Sequence, residues 1–203
     1  MPSIINGYLI EPDARLRGAD LTNADLTGVE ATDANLSSAD LTNADLTKAD
    51  LKDAKLSDAE LSRANLSGAD LWETDLRYAN LTDAILTDAV LYKANLTGAN
   101  LTSADLTDAI LYGSDLTNAD LTNADLTNAS LTDANLTNAI LTNADLTGAI
   151  LSGANLTNAD LTGVELSNAN VTDTPGDDLV TGTANSDVIS AGIGLDLIYA
   201  GAG

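Results

Sequence analysis

Carboxylates are the main chemically capable side chains of this 203-residue chain, which has 31 Asp and Glu residues but no His and no Cys. Without His and Cys the chain lacks Ser-His-Asp and Cys-His catalysis, thiolate metal sites and the usual zinc and iron ligand sets. We therefore expect a protein that is not an enzyme. Carboxylates remain able to bind hard cations or to present a negative surface to a partner.

The most regularly spaced carboxylates near the end of the chain are Asp178, Asp187 and Asp196, each at the ninth position after the one before. Calcium takes six to eight oxygen ligands, and a glycine-rich turn exposes carbonyl oxygens beside one Asp per repeat. Residues 191–199 resemble the glycine-rich nonapeptide of RTX proteins, and this resemblance implies calcium between stacked coils. Residues 174–203 are thus either an incomplete calcium-binding tail, the only cofactor site expected, or a vestigial tail that binds no metal.

The rest of the chain is organised by a leucine at every fifth position from Leu16 to Leu166, interrupted only at Ala31 and closed by Val171. A period of five fits neither an α-helix nor a flat β-strand, so it indicates a repeat architecture. The residue two before Leu is nearly always Ala, which gives two inward positions in each unit. The fifth position is Gly, Asn or Asp in 25 of 32 units, and these residues favour a tight turn.

The outward positions are polar. Asp, Glu or Asn precedes Leu at 24 of 31 sites and Thr or Ser follows it at 26 of 32, so the faces of the repeat are expected to be hydrophilic. The aromatic residues Trp72, Tyr92 and Tyr112 recur at every twentieth position, and this interval predicts four five-residue units per coil.

The pattern A-(D/N)-L-T-(N/G), as in residues 19–23 and 119–123, resembles the pentapeptide-repeat family. The resemblance covers residues 14–173 and implies an all-β fold, a right-handed quadrilateral β-helix of about eight coils of four pentapeptides. Residues 1–13 are expected to form a cap strand over the first coil, because an open solenoid end exposes unpaired edges. The predicted core includes Leu21, Leu26, Leu41, Leu71, Leu91, Leu111, Leu131 and Leu151.

One side of this coil departs from the polar norm. A coil of four units brings together Trp72, Val90, Tyr92, Ile110 and Tyr112. Exposed apolar patches of this kind mark interfaces. The alternative is a cross-strand aromatic ladder that stabilises the sheet and contacts no partner.

The formal net charge of −23 argues against direct binding to nucleic acid or to an anionic membrane surface. Residues 16–173 carry a net charge of −18, and B-DNA carries roughly 22 charges over the ~38 Å that eight coils would span. Some members of the pentapeptide-repeat family are acidic rods that occupy the DNA-binding saddle of type II topoisomerases. The resemblance therefore implies DNA mimicry as an alternative function, although Phe is absent from the central position.

All eight bases lie before residue 94, which reflects either drift among repeats or two arrays joined near residues 94–100. No apolar run is long enough to span a bilayer, and the first residues do not read as a signal peptide. We expect a soluble chain, in the cytoplasm rather than secreted, that is a monomer or an end-to-end or face-to-face homodimer. The function expected is a non-enzymatic structural and interaction scaffold with a protein partner; a secreted calcium-binding module is a further alternative.

Overall fold

Each five-residue unit folds as a short extended segment followed by a tight turn. The computed structural model describes residues 3–174 and the strand segments 179–181, 188–191 and 197–199. In most turns the Ala amide donates to the Leu carbonyl of the same turn, as from Ala24 to Leu21 at 3.0 Å. The residue before Ala has a positive φ, such as +55° at Asn23. This is the geometry of a type II β-turn, and it explains why Gly, Asn and Asp predominate at the fifth position.

Successive coils pair in parallel, and each bridge joins a residue to the twentieth residue after it. The bridges begin with Arg15 and Asn35 and continue in this register to Ile150 and Asn170. At a typical bridge the Asp40 amide donates to the Ala19 carbonyl at 2.9 Å, and the Asp40 carbonyl accepts from the Leu21 amide at 2.7 Å. One such interval holds four turns, so each coil has four sides. Residues 15–170 therefore form a four-sided β-helix.

The interior is filled by Leu and Ala. All eight leucines predicted as core are buried, with at most 3% of their surface exposed, and each contributes about 1.5–3 kcal/mol by burial. Two polar residues occupy Ala positions, Thr74 and Ser114. Their hydroxyls donate to the carbonyls of Leu51 and Leu111, both at 2.8 Å. Because both hydroxyls are satisfied, the core tolerates them.

The first coil is covered by a hairpin of two antiparallel strands, β1 (Ser3–Ile5) and β2 (Tyr8–Ile10). The residue pattern of positions 1–13 predicts one cap strand here. The chain reverses instead because Asn6 and Gly7 both adopt positive φ, 51° and 85°, as a two-residue hairpin turn requires. The phenolic oxygen of Tyr8 accepts a hydrogen bond from the Asp20 amide at 3.2 Å. This bond gives one backbone amide at the open edge of the first coil a partner.

The pairing offset changes at the other end. Strand β3 (Asn170–Thr174) pairs in parallel with β5 (Val188–Ala191), and β4 (Leu179–Thr181) pairs with β6 (Leu197–Tyr199). Val171 is the partner of Ile189, an offset of two nine-residue units rather than four five-residue units. The backbone therefore shortens its repeat at β3, close to the point where the sequence period changes from five to nine.

Candidate interaction surface

Outward side chains fall into four faces because every position recurs once per coil. We call the side that carries residues 70, 72, 90, 92, 110 and 112 the aromatic face. The five residues predicted to form an apolar patch all lie on it. The opposite face carries Thr82, Thr102 and Thr122 at the equivalent positions.

Trp72, Tyr92 and Tyr112 form a continuous ladder along the aromatic face. The ring centroids of Trp72 and Tyr92 are 4.6 Å apart with the planes at 47°, and those of Tyr92 and Tyr112 are 5.3 Å apart and nearly parallel. Such pairs stabilise a sheet by about 0.5–1.5 kcal/mol each beyond the area they bury. Even so, Trp72 is 43% exposed and Tyr112 is 37% exposed. The rings pack on one another and still present an apolar strip outward.

Aliphatic side chains widen this strip. Val90 and Ile110 are bridge partners in adjacent coils, directly beside the ladder. Val90 is half-buried and Ile110 is 43% exposed. Ile150 lies two coils further along the same column and is 42% exposed. The structure thus brings together all five residues of the predicted patch, in a continuous surface spanning three coils.

Charged groups border the ladder at both ends. Next to Trp72, Lys52 lies between two carboxylates, 2.7 Å from Asp70 and 3.3 Å from Asp50. The hydrogen bond to Asp70 raises the pKa of Lys52 above its usual value. At the other end, the Asp133 carboxylate raises the pKa of the Tyr112 phenol by its hydrogen-bonding and electrostatic influence. The ladder therefore lies in a polar, predominantly acidic surround.

The polar faces are built from a local motif in which the residue before Leu accepts hydrogen bonds from the Thr after it. Asp20 Oδ1 accepts from the Thr22 amide at 3.1 Å and from its hydroxyl at 2.6 Å. Asp160 does the same with Thr162 at 3.0 and 2.6 Å. These bonds lower the pKa of both carboxyls, the hydroxyl contributing most. Asn makes the same contacts without charge, which explains why Asp and Asn interchange at this position.

Two outward features were not anticipated from the sequence. Tyr78 occupies a turn position, and its ring lies over Gly98 in the next coil, so that a Cβ at Gly98 would come within 2.7 Å of the ring. On the same side Arg77 forms a two-point ion pair with Asp75, at 2.8 and 2.7 Å. The sequence contains a signal for Tyr78, since an aromatic residue is unusual at a turn position that favours Gly, Asn or Asp. The twenty-residue coil places Gly98 beside Tyr78, but only the structure shows that the ring lies over it.

The three aspartates proposed to bind calcium, Asp178, Asp187 and Asp196, lie outside the described residues. Among the residues that are described, no group of three or more Asp, Glu, His or Cys side chains is arranged to hold a metal ion. Within the same part of the chain, no helix has the length and hydrophobicity needed to cross a lipid bilayer.

Together, the parallel register with one bridge on each side of every coil, the Leu and Ala interior and the polar outer faces define a β-solenoid repeat protein. The family model for Pentapeptide repeats matches in eight copies, over residues 14–53, 34–72, 54–91, 64–102, 99–138 and 139–174. The chain therefore belongs to the pentapeptide-repeat family. Proteins of this family are generally structural or interaction proteins.

Solved structures similar to this chain include two cyanobacterial proteins. HetL from Nostoc sp. strain PCC 7120, a pentapeptide-repeat protein involved in heterocyst differentiation regulation, is 35% identical, with 81% of this chain and 88% of HetL covered and a TM-score of 0.48. Rfr23 from Cyanothece 51142 is 40% identical, with 47% of this chain and 62% of Rfr23 covered and a TM-score of 0.31.

A third similar structure is full-length QnrB1, a plasmid-mediated fluoroquinolone resistance protein. It is 17% identical, with 81% of this chain and 85% of QnrB1 covered and a TM-score of 0.37. The comparison with curated protein sequences gives no match.

Proposed function

We propose that this chain is a non-enzymatic interaction scaffold that binds a protein partner through its aromatic face. The observation that supports the proposal is the exposed ladder of Trp72, Tyr92 and Tyr112 with Ile110 beside it. A sheet-stabilising role alone would be served by the repeat's usual threonines, which favour β-structure and remain hydrophilic. Partly exposed Trp and Tyr side chains are the residues that dominate binding energy at protein interfaces. The scaffold is the family's right-handed coil, with about eight coils between the N-terminal hairpin and residue 173.

The test is capture of partners with the purified chain from an extract of its source organism, compared with a ladder variant. The ladder variant combines Trp72→Thr, Tyr92→Thr and Tyr112→Thr. Because Thr is the residue most common after Leu in the repeat, the solenoid is expected to fold. A matched control places Thr82→Ala, Thr102→Ala and Thr122→Ala on the opposite face. Proteins retained by the wild type and the control but lost by the ladder variant would be the partners. Equal retention by all three proteins would refute the proposal. So would a ladder variant that is misfolded by far-ultraviolet circular dichroism and binds the same proteins once it is refolded, because the ladder would then not be needed for binding.

A second candidate function is regulation of a type II topoisomerase by an acidic rod, which the charge distribution favours. Two adjacent faces carry eleven acids at their bridge positions and no base. These acids are Asp20, Asp40, Glu60, Asp120 and Asp160 on one face, and Asp25, Asp45, Asp105, Asp125, Asp145 and Glu165 on the other. A charged edge of this kind would attract a basic groove through long-range electrostatics.

A supercoiling assay with DNA gyrase tests this second function. The wild-type chain at micromolar concentration is expected to inhibit or protect the enzyme. The variant Asp105→Asn, Asp125→Asn, Asp145→Asn should act at least tenfold more weakly, because Asn keeps the hydrogen bonds to Thr and removes only charge. Wild-type chain without effect at micromolar concentration would rule out this function.

The tail is a separate candidate site, because its strands pair at an offset that suits two nonapeptides per coil. We propose that this segment binds calcium through Asp178, Asp187 and Asp196. Calorimetric titration of the full chain with calcium should give heat that disappears in the Asp187→Asn variant. The same heat in both proteins, or none at millimolar calcium, would reject a calcium site in the tail.

A further inference from the structure

The spacing of the aromatic rungs is suited to one kind of partner backbone. Adjacent ring centroids are 4.6 and 5.3 Å apart, close to the roughly 5.4 Å rise of one α-helical turn. An extended strand repeats its outward side chains only every ~6.6 Å, and a polyproline II turn advances about 9.3 Å. A helix lying along the rod would therefore place one apolar side chain against each rung, whereas a strand would lose register after the first.

The charges on the two borders of the ladder suit a particular kind of helix. Asp88 and Asp108 occupy exposed turns on one border, while Glu73 and Asp133 occupy exposed turns on the other. Three bases lie nearby, of which Lys48 shares the turn column of Asp88 and Asp108. Lys52 is already paired with two carboxylates, and the Lys93 ammonium lies 5.2 Å from the Tyr92 ring centroid.

The net surround is acidic on both sides of an apolar strip. An amphipathic helix presents the complementary arrangement when bases flank both edges of its apolar stripe. Acidic flanks on the partner would face like charges and would be repelled.

We propose that the aromatic face binds a basic amphipathic α-helix of its partner protein, aligned with the rod axis. Apolar residues at positions i, i+4 and i+7 of that helix contact Trp72, Tyr92 and Tyr112 in turn. Lys or Arg on either side of them pairs with the acidic turns. This inference rests on the proposed function of the aromatic face as a protein-binding surface, and it specifies the chemistry of the partner.

The chain's single tryptophan makes the proposal testable without knowing the partner, because Trp72 is the first rung of the ladder. The probe is a synthetic Trp-free helical peptide with Leu along one stripe and Lys on both flanks. A second peptide has Glu in place of every Lys, and a third has the first peptide's composition scrambled so that no stripe forms. Each is titrated into the full chain while Trp72 emission is recorded.

The basic striped peptide should shift Trp72 emission to shorter wavelength with saturation, since the indole loses contact with water. Binding should weaken at least tenfold in the variant Tyr92→Thr, Tyr112→Thr, which keeps Trp72 as reporter. It should change less than twofold in Thr102→Ala, Thr122→Ala on the opposite face.

Three results would overturn the inference. Equal binding of the acidic peptide would show that the flanking charges do not select the partner, and equal binding of the scrambled peptide would show charge attraction without a helical stripe. No emission change with any peptide would show that no such helix binds here. Each of these three peptide results is independent of the extract experiment. If the extract experiment captures a ladder-dependent partner that lacks a basic helix, the proposed scaffold function is still supported.

Discussion

The contact between Tyr78 and Gly98 allows a quantitative test of how the coils stack. Gly98 has φ +66°, and a Cβ there would lie 2.7 Å from the Tyr78 ring. The substitution Gly98→Ala therefore has two costs, a left-handed backbone conformation and displacement of the ring. Gly68→Ala is a matched control, because Gly68 has φ +63° in an interior coil and its added Cβ would meet only the Lys48 side chain at 3.5 Å.

The two costs can be estimated separately. An alanine in the left-handed region costs roughly 1–2 kcal/mol, and this applies to both glycines. Tyr78 is 64% exposed, so about a third of its surface is covered. Since a buried aromatic side chain covers about 150–250 Å² at about 25 cal/mol per Å², losing that contact costs about 1–2 kcal/mol. Gly98→Ala should thus lower the free energy of unfolding by about 2–4 kcal/mol, and Gly68→Ala by about half as much.

Urea unfolding followed by far-ultraviolet circular dichroism measures both values, and a double-mutant cycle with Tyr78→Ala separates the terms. In the Tyr78→Ala background, Gly98→Ala should cost no more than Gly68→Ala does in the wild type. If Gly98→Ala and Gly68→Ala are equally destabilising, or if Tyr78→Ala leaves the cost of Gly98→Ala unchanged, the ring does not lie over Gly98 and the reasoning is wrong.

Three further predictions follow from the core and from the hydrogen-bonded carboxyls. Leu91→Ala removes a fully buried side chain and should lower the free energy of unfolding by about 2–5 kcal/mol in urea titration; a loss below about 1 kcal/mol would contradict a close-packed interior. The pKa of Asp160, measured by NMR, should lie below 3.8 and should rise in Thr162→Ala. Because the Asp160 pKa is lower in the folded chain than in the unfolded chain, the stability that this carboxylate contributes is present above the unfolded pKa and is lost as pH falls through the folded pKa. An unchanged Asp160 pKa in Thr162→Ala would show that the Thr162 hydroxyl is not the main cause of the lowered pKa. Asp133→Asn should lower the pKa of Tyr112 toward 10.0 in an alkaline absorbance titration, and a pKa that stays raised would mean that another group perturbs the phenol.

Much of the candidate surface was predictable because the repeat converts sequence spacing into distance. Trp72, Tyr92 and Tyr112 recur once per coil of four units, and the parallel register places them in one column. The sequence allowed a cross-strand aromatic ladder as the alternative to an interface, but the ring distances and angles could not be predicted, since they depend on which rotamers the neighbouring coils allow. The hairpin was missed for a different reason. The Asn6-Gly7 dipeptide is a hairpin signal, but the flanking strands have only three residues each, too few to show an alternating pattern.

The sequence by itself determined the turn at every fifth residue, the Leu and Ala interior and the separation of polar from apolar faces, because these follow from local φ preferences and from a strict period. Only the tertiary structure decided which outward residues meet. Lys52 with Asp70, Tyr78 with Gly98, and Tyr112 with Asp133 lie on different coils, and their contacts require both a fixed offset and a chosen side-chain direction. A repeat sequence specifies the lattice of positions, whereas packing between coils specifies the interactions across it.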